Sequence, residues 1–236
     1  QAFLQGFETL PVLDKIFGQY MPRMNYAFTW SGLENLPMFK SFASQVSLNN
    51  AYQSTYTQNW HGTTSGGQVN DAQTISYGFQ PLLGLNISFK SWGDANISGS
   101  ILYNTSTQYA LSPSAGTIAQ SQTGQLSITA DYAKRGFSLP LFGLNLKNDI
   151  DISASYSSSQ TSRLSYTFDN ISTGGQAIDG TNQVSIELRF KYDVSQRVSA
   201  SIYYKNTKIT PTTPGSPIPG TTTNEAGIDV HVSIAG

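Results

Sequence analysis

Apolar and polar residues alternate with a period of two along most of this chain, in runs longer than an ordinary soluble strand. From Val46, one parity holds Val46, Leu48, Tyr52 and Tyr56, while the other holds Ser47, Asn49, Gln53 and Thr55. From Ile75, one parity carries Ile75, Tyr77, Phe79, Leu83, Leu85, Ile87 and Phe89, keeping its phase across Pro81. Successive side chains of a strand point to opposite faces. Each run therefore predicts a strand that is apolar on one side and rich in Ser, Thr, Asn and Gln on the other.

About nine such strands are expected. Residues 1–21 are set apart: Phe3, Leu4, Phe7, Leu10, Leu13, Ile16 and Phe17 are spaced closer to helical than to period two, and Pro11 interrupts them. This predicts a short helix or packed loop, with the β region over 22–236. The first strand is expected at 22–31, with Met24, Tyr26, Phe28 and Trp30 on one face, and the second at 43–58. A Gly-rich loop is expected from Trp60 to Asp71, then a third strand at 72–91 with a bulge or bend at Pro81, which has no N–H for a ladder. Ser91, Trp92, Gly93 and Asp94 predict a tight turn into a fourth strand at 95–111. A fifth strand is expected at 119–133, a longer connection from Lys134 to Leu146, and a sixth strand at 147–168. Strand seven carries Val184, Ile186, Leu188, Phe190 and Tyr192, and strand eight Val198, Ala200, Ile202 and Tyr204. A Pro/Thr/Gly segment from Thr210 to Thr223 predicts a mobile loop before the last strand, Ala226 to Ile234.

Composition changes the setting of these strands. Only 11% of residues are charged, against about 25% in ordinary soluble domains. Ser, Thr, Asn, Gln, Tyr and Phe take the place of the missing charge. A soluble β-sandwich also alternates, but its strands usually run nearer 5–6 residues and its outer surface carries mixed charge. Long strands with an uncharged polar face suit a wall between lipid and water. Aromatic residues near the expected strand ends (Trp30, Tyr56, Phe89, Tyr103, Tyr132, Phe168, Tyr192 and Tyr204) fit an interfacial girdle. The expected fold class is all-β: an antiparallel transmembrane β-barrel wall of about nine long strands, forming part of a larger barrel. Bacterial single-chain barrels have even strand numbers, and the start lacks Met and the basic and apolar parts of a signal peptide. Both features point to a mature or truncated product.

Candidate chemistry is sparse. A net charge of -1 with no blocks of like charge gives no footprint for nucleic acid. Zero Cys removes disulfides, thiolate metal sites and a Cys nucleophile. His61 and His231 have no partner at metal-ligand spacing. Asp149 and Asp151 share a parity and suit a polar lining better than a catalytic pair. No catalytic residue, cofactor or metal is expected. One cluster is singled out: Glu187, Arg189 and Lys191 on strand seven, Lys205 on strand eight, and Asp229 and His231 on the last strand. If these strands are neighbours, charges of both signs line one sector of a watery interior.

Residues 22–33 (PRMNYAFTWSGL), 36–42 (LPMFKSF) and 46–56 (VSLNNAYQSTY) resemble, in order, part of the C-terminal region of the SprA/Sov family. That family forms the outer-membrane translocon of the type IX secretion system. The likeness continues through 75–85 (ISYGFQPLLGL) and 195–198 (SQRV) to the final strand, over about residues 20–236. Asn50 stands where a His is common in that family. The resemblance implies a giant barrel in the bacterial outer membrane whose lumen passes exported cargo proteins. Its implied partners are outer-membrane lipid, the remainder of the barrel, and the partner subunits and plug of the translocon. The rival expectations are a stand-alone porin or solute channel, closed by pairing of its first and last strands, and a secreted β-rich surface adhesin.

Overall fold

The alternating runs form nine strands that pair antiparallel in chain order, each beside its sequence neighbours. The computed structural model describes residues 24–233 except 92, 142–143, 169–174, 196 and 215. The helix or packed loop expected over 1–21, Trp92 in its turn, and Ile234 at the chain end lie outside the described residues. The strands are β1 (Tyr26–Ser31), β2 (Ala43–Gly62), β3 (Gln68–Phe89), β4 (Ala95–Ser112) and β5 (Thr117–Leu141), followed by β6 (Leu144–Thr167), β7 (Gln176–Ser195), β8 (Val198–Pro211) and β9 (Thr221–Val232). The all-β antiparallel expectation holds. Among the described residues β1 pairs only with β2 and β9 only with β8, so the sheet is open.

Three hairpins zip further than their composition suggests. The loop expected from Trp60 to Asp71 is reduced to 63–67, because Trp60, His61 and Gly62 pair with Asn70, Val69 and Gln68. Gly66, at φ 81, takes the left-handed position of that turn, and Gly62 continues the strand. The connection expected from Lys134 to Leu146 is instead strand on both sides of 142–143. Gly136, at φ 64, forms a bulge where the register shifts between Lys134 and Phe137. Asp149 accepts the Gly136 N–H at 3.1 Å and fixes that bulge. The loop expected from Thr210 to Thr223 shortens to 212–220.

Pro81 does what its missing N–H requires. The register of β3 shifts between Phe79 and Leu83 against β4, and between Asn49 and Tyr52 on the β2 side. Against β4, four residues of β3 span two of its partner, so the alternation keeps its phase and Phe79 and Leu83 stay on one face. The link from β1 to β2 folds back on the sheet. Leu33, Ala43 and Val46 are buried with Phe39, Leu48, Leu85 and Ile87, and the Glu34 carboxylate accepts the Val46 N–H at 3.0 Å.

Candidate functional site

The pairing register carries one side-chain parity through the whole sheet, and that gives the sheet two unlike faces. Leu48, Leu85, Ile101, Ile128, Tyr156 and Ile186 lie on a single register line and therefore share a face. Ser47, Asn86, Ser100, Thr129, Ser155 and Glu187 form the neighbouring line on the other.

On the first face the apolar positions form a band. It includes 83–89 on β3, 97–103 on β4, 126–132 on β5, 150–156 on β6, 184–192 on β7, 198–204 on β8 and 226–232 on β9. On β3 it also continues past the Pro81 bulge through Phe79, Tyr77 and Ile75. Over β8 and β9 this face is uncovered among the described residues, with Ile228 71% exposed, Val230 64% and Ile202 55%. Elsewhere the link from β1 to β2 packs on it at Val46, Leu48, Leu85 and Ile87, and Ile150 and Tyr192 are each 4% exposed. At about 3.4 Å per residue and a tilt of about 30–40°, the seven-residue runs stand roughly 18–21 Å tall and the longer run of β7 roughly 23–26 Å. That is close to the apolar height of a membrane barrel, about 25 Å.

The band runs obliquely to the strands. Tyr103, Leu126, Ser158, Val184, Lys208 and Thr222 lie on one register line. On β4 the apolar run ends at Tyr103, on that line; on β9 it ends at Ala226, four residues further along. The opposite edge moves in step. Ile97 shares its line with Ile228, while the β9 run continues to Val232. Four residues over five strand spacings correspond to a tilt of roughly 30°, near the 35–45° of closed barrels.

Aromatic residues mark both edges of the band. Phe89, Tyr132 and Tyr192 stand at one edge, on β3, β5 and β7; Tyr103, Tyr156 and Tyr204 stand at the other, on β4, β6 and β8. Beyond Tyr132 comes Lys134, its ammonium 5.9 Å from the Phe137 ring centre. Beyond Tyr204, its hydroxyl donates to Asn224 at 3.0 Å, and the Asn206 amide donates to the same oxygen at 2.6 Å. Amphipathic side chains arranged this way put their apolar bodies on the band and their polar tips outside it.

The second face is polar at the level of the band, and most of its charge lies in one sector. From β2 to β5 it is lined mainly by small uncharged groups, with a shallow hollow of about 280 Å³ among Ser47, Ser88, Ser98, Ser100, Thr129 and the single carboxylate of Asp131. From β6 to β9 the strands bring ionised groups together. Arg189 lies 3.4 Å from Glu187 and 3.6 Å from Asp229, and Lys205 lies 3.9 Å from Glu187. Lys191 lies 3.1 Å from Asp193 and 3.6 Å from Asp151. The Arg189 guanidinium also sits 5.0 Å over the Tyr203 ring, whose hydroxyl donates to Glu225 at 3.0 Å. That ring lies flat across Gly227, where an added Cβ would meet it at 2.8 Å.

Four of the six residues singled out from the sequence, Glu187, Arg189, Lys205 and Asp229, thus stand in one network, while Lys191 pairs separately with Asp151 and Asp193 on the same face. His231 lies on the same face, opposite Ser199, one position beyond it. The sequence reading left out Asp193, Tyr203 and Glu225 and gave Asp151 only as polar lining outside the cluster, although all four carry the right parity. Asp149 and Asp151 are not a carboxylate pair: Asp149 holds the Gly136 bulge and Asp151 faces Lys191. His61 is in a strand, not a loop, and its Nδ1 lies 2.6 Å from the Asp71 carboxylate.

No family model matches the chain, and no curated protein matches it.

Proposed function

We propose that this chain is a wall segment of a large β-barrel in the bacterial outer membrane, where it separates lipid from a polar lumen through which exported proteins pass. The observation that carries the membrane part is the oblique apolar band, exposed on one face and backed at the same level by serines, threonines and ion pairs. A charged sector behind an apolar band requires water on its own side. The open sheet, with unpaired strands at both edges, supports a share in a larger barrel over a channel closed by β1 and β9.

The protein-conducting part rests on the resemblance to the SprA/Sov translocon. On that reading the lumen works by geometry: a weakly charged, hydroxyl-rich surface neither holds cargo tightly nor repels it. Outer-membrane lipid, the remainder of the barrel, partner subunits with a plug, and cargo in transit are its proposed partners. The exposed stretch of the band on β7 to β9 disfavours a secreted adhesin, since soluble proteins rarely leave so large an apolar patch uncovered.

Single cysteines test the wall directly, because the sequence contains none. In the membrane-embedded protein, Ser201→Cys and Thr129→Cys are expected to react with a water-soluble maleimide. Ile202→Cys and Leu188→Cys are expected to react only with a lipid-soluble one. Reversed reactivity, or equal reactivity of all four in a soluble fraction, sinks the proposal.

A further inference from the structure

The two ends of the sheet meet the band differently. At one rim the wall stops almost where the band stops. Phe89 is the last residue of β3, β7 ends at Ser195 and β8 begins at Val198, and β9 ends at Val232. At the opposite rim the strands continue well past the band, over 104–112 on β4, 117–125 on β5, 157–167 on β6 and 176–183 on β7. Nine residues at about 3.4 Å each, tilted by ~40°, add roughly 20 Å.

The first part of that extension has lost its apolar face. Thr105, Thr107, Gln122, Ser158, Gln160 and Ser162 stand on the parity that carries Ile101, Ile128 and Tyr156 lower down. Acyl chains cannot be the solvent there. Near the tip, Tyr109, Ile118 and Tyr166 return to that face, and Tyr166 donates to Gln120 at 2.6 Å.

By strand bounds, most connections differ in the same sense. Those at the extended rim are 63–67, 113–116, 168–175 and 212–220, against 90–94 and two-residue intervals after Leu141 and Ser195 at the other. The link 32–42, the longest of these, lies at the shorter rim, and two features there depart from the pattern. The link 32–42 folds back on β2 and β3 through Leu33, and the β5–β6 hairpin continues alone past Tyr132.

Outer-membrane barrels carry short turns on the periplasmic side and long loops outside. We infer that the rim holding 113–116 is the cell-exterior rim, and that β4 to β7 project through it as a collar wetted on both faces. This rests on the membrane reading above, and the test separates the two. Ser114→Cys and Asp94→Cys, both in exposed turns at opposite rims, are made in the full membrane protein and treated on intact cells with a membrane-impermeant biotin–maleimide. Membrane-fraction abundance equal to the parent shows that each variant has assembled. Ser114→Cys is expected to label on intact cells and Asp94→Cys only after the outer membrane is permeabilised. The opposite pattern overturns the orientation and leaves the wall standing. Labelling of both on intact cells, or of neither until permeabilisation, overturns the spanning wall as well.

Discussion

The side-chain amide of Asn50 donates to the main-chain oxygen of Leu82 at 2.6 Å, with a longer contact to that of Pro81 at 3.5 Å. Asn50 lies on the apolar face, between Leu48 and Tyr52 and opposite Phe28, where a polar residue needs a reason. The bulge at Pro81 supplies it. Carbonyls displaced from the ladder there have no strand partner, and in an apolar setting an unpaired carbonyl is costly.

Asn50→Ala is therefore expected to destabilise the reconstituted protein by about 1–2 kcal/mol, the cost of leaving a desolvated acceptor unpaired. Asn50→His, which keeps a ring N–H donor, is expected to recover most of that loss. Urea unfolding in lipid vesicles measures both. Equal losses for the two variants would remove the capping role and leave only a question of shape.

Much of this architecture is legible in the sequence because its signal is local. Period two from Ile75 to Phe89 assigns the faces of β3 without any knowledge of its partners, and Pro81 announces its own bulge. Glycine misleads for a physical reason: Gly62 and Gly136 read as breakers, yet one is extended strand and the other a bulge inside a hairpin. Composition reports what a residue permits, while pairing on both sides decides what it does. The charged network shows the same limit. Nothing local singles out Asp193 or Tyr203, because only the register of β6 to β9 sets Asp193 beside Lys191 and the Tyr203 ring under Arg189. The obliquity of the band is a relation among strands and has no signature within any one of them.

Gly78 lies against the main chain of β4. An added Cβ there would collide with the Thr105 carbonyl oxygen and meet the Ser106 Cα at 2.8 Å, both main-chain atoms that cannot swing away. Gly78→Ala is expected to block assembly, read as loss of the protein from the membrane fraction. Gly124→Ala is the matched control, since its Cβ would meet nothing nearer than the Tyr103 hydroxyl at 3.7 Å. A Gly78→Ala protein that assembles at parental levels would show that β3 and β4 are not so closely apposed in the membrane.

Arg189 separates a structural from an electrostatic role for the charged sector. Its pairs with Glu187 and Asp229 are well exposed, and exposed pairs contribute at most about 1 kcal/mol. Arg189→Gln is therefore expected to assemble normally. It leaves Asp229 uncompensated and Glu187 with Lys205 alone, on a face that already carries Asp151, Asp193 and Glu225. Reversal potentials of the assembled channel in planar bilayers are expected to move toward cation preference, most clearly in low salt where screening is weak. An unchanged reversal potential at all salt concentrations would place this sector away from the conducting path.

Ile128 and Ser127 are neighbours in sequence and opposites in the sheet, which makes them the sharpest probe of its two faces. Ile128 sits in the middle of the β5 band, with Ile101 and Tyr156 beside it on the same line. Ser127 looks the other way, between Leu102 and Ser157, with no ionised group on its register line from β4 to β6. An arginine on the lipid side near the bilayer midplane costs about 2–4 kcal/mol, whereas lumen substitutions leave stability nearly unchanged. Ile128→Arg is thus expected to lose that much in vesicle unfolding, or to disappear from the membrane fraction, while Ser127→Arg assembles as the parent does. If both variants are tolerated, the band does not face lipid. If Ser127→Arg is the damaging one, the faces are inverted and the hydroxyl-rich side cannot line an aqueous lumen.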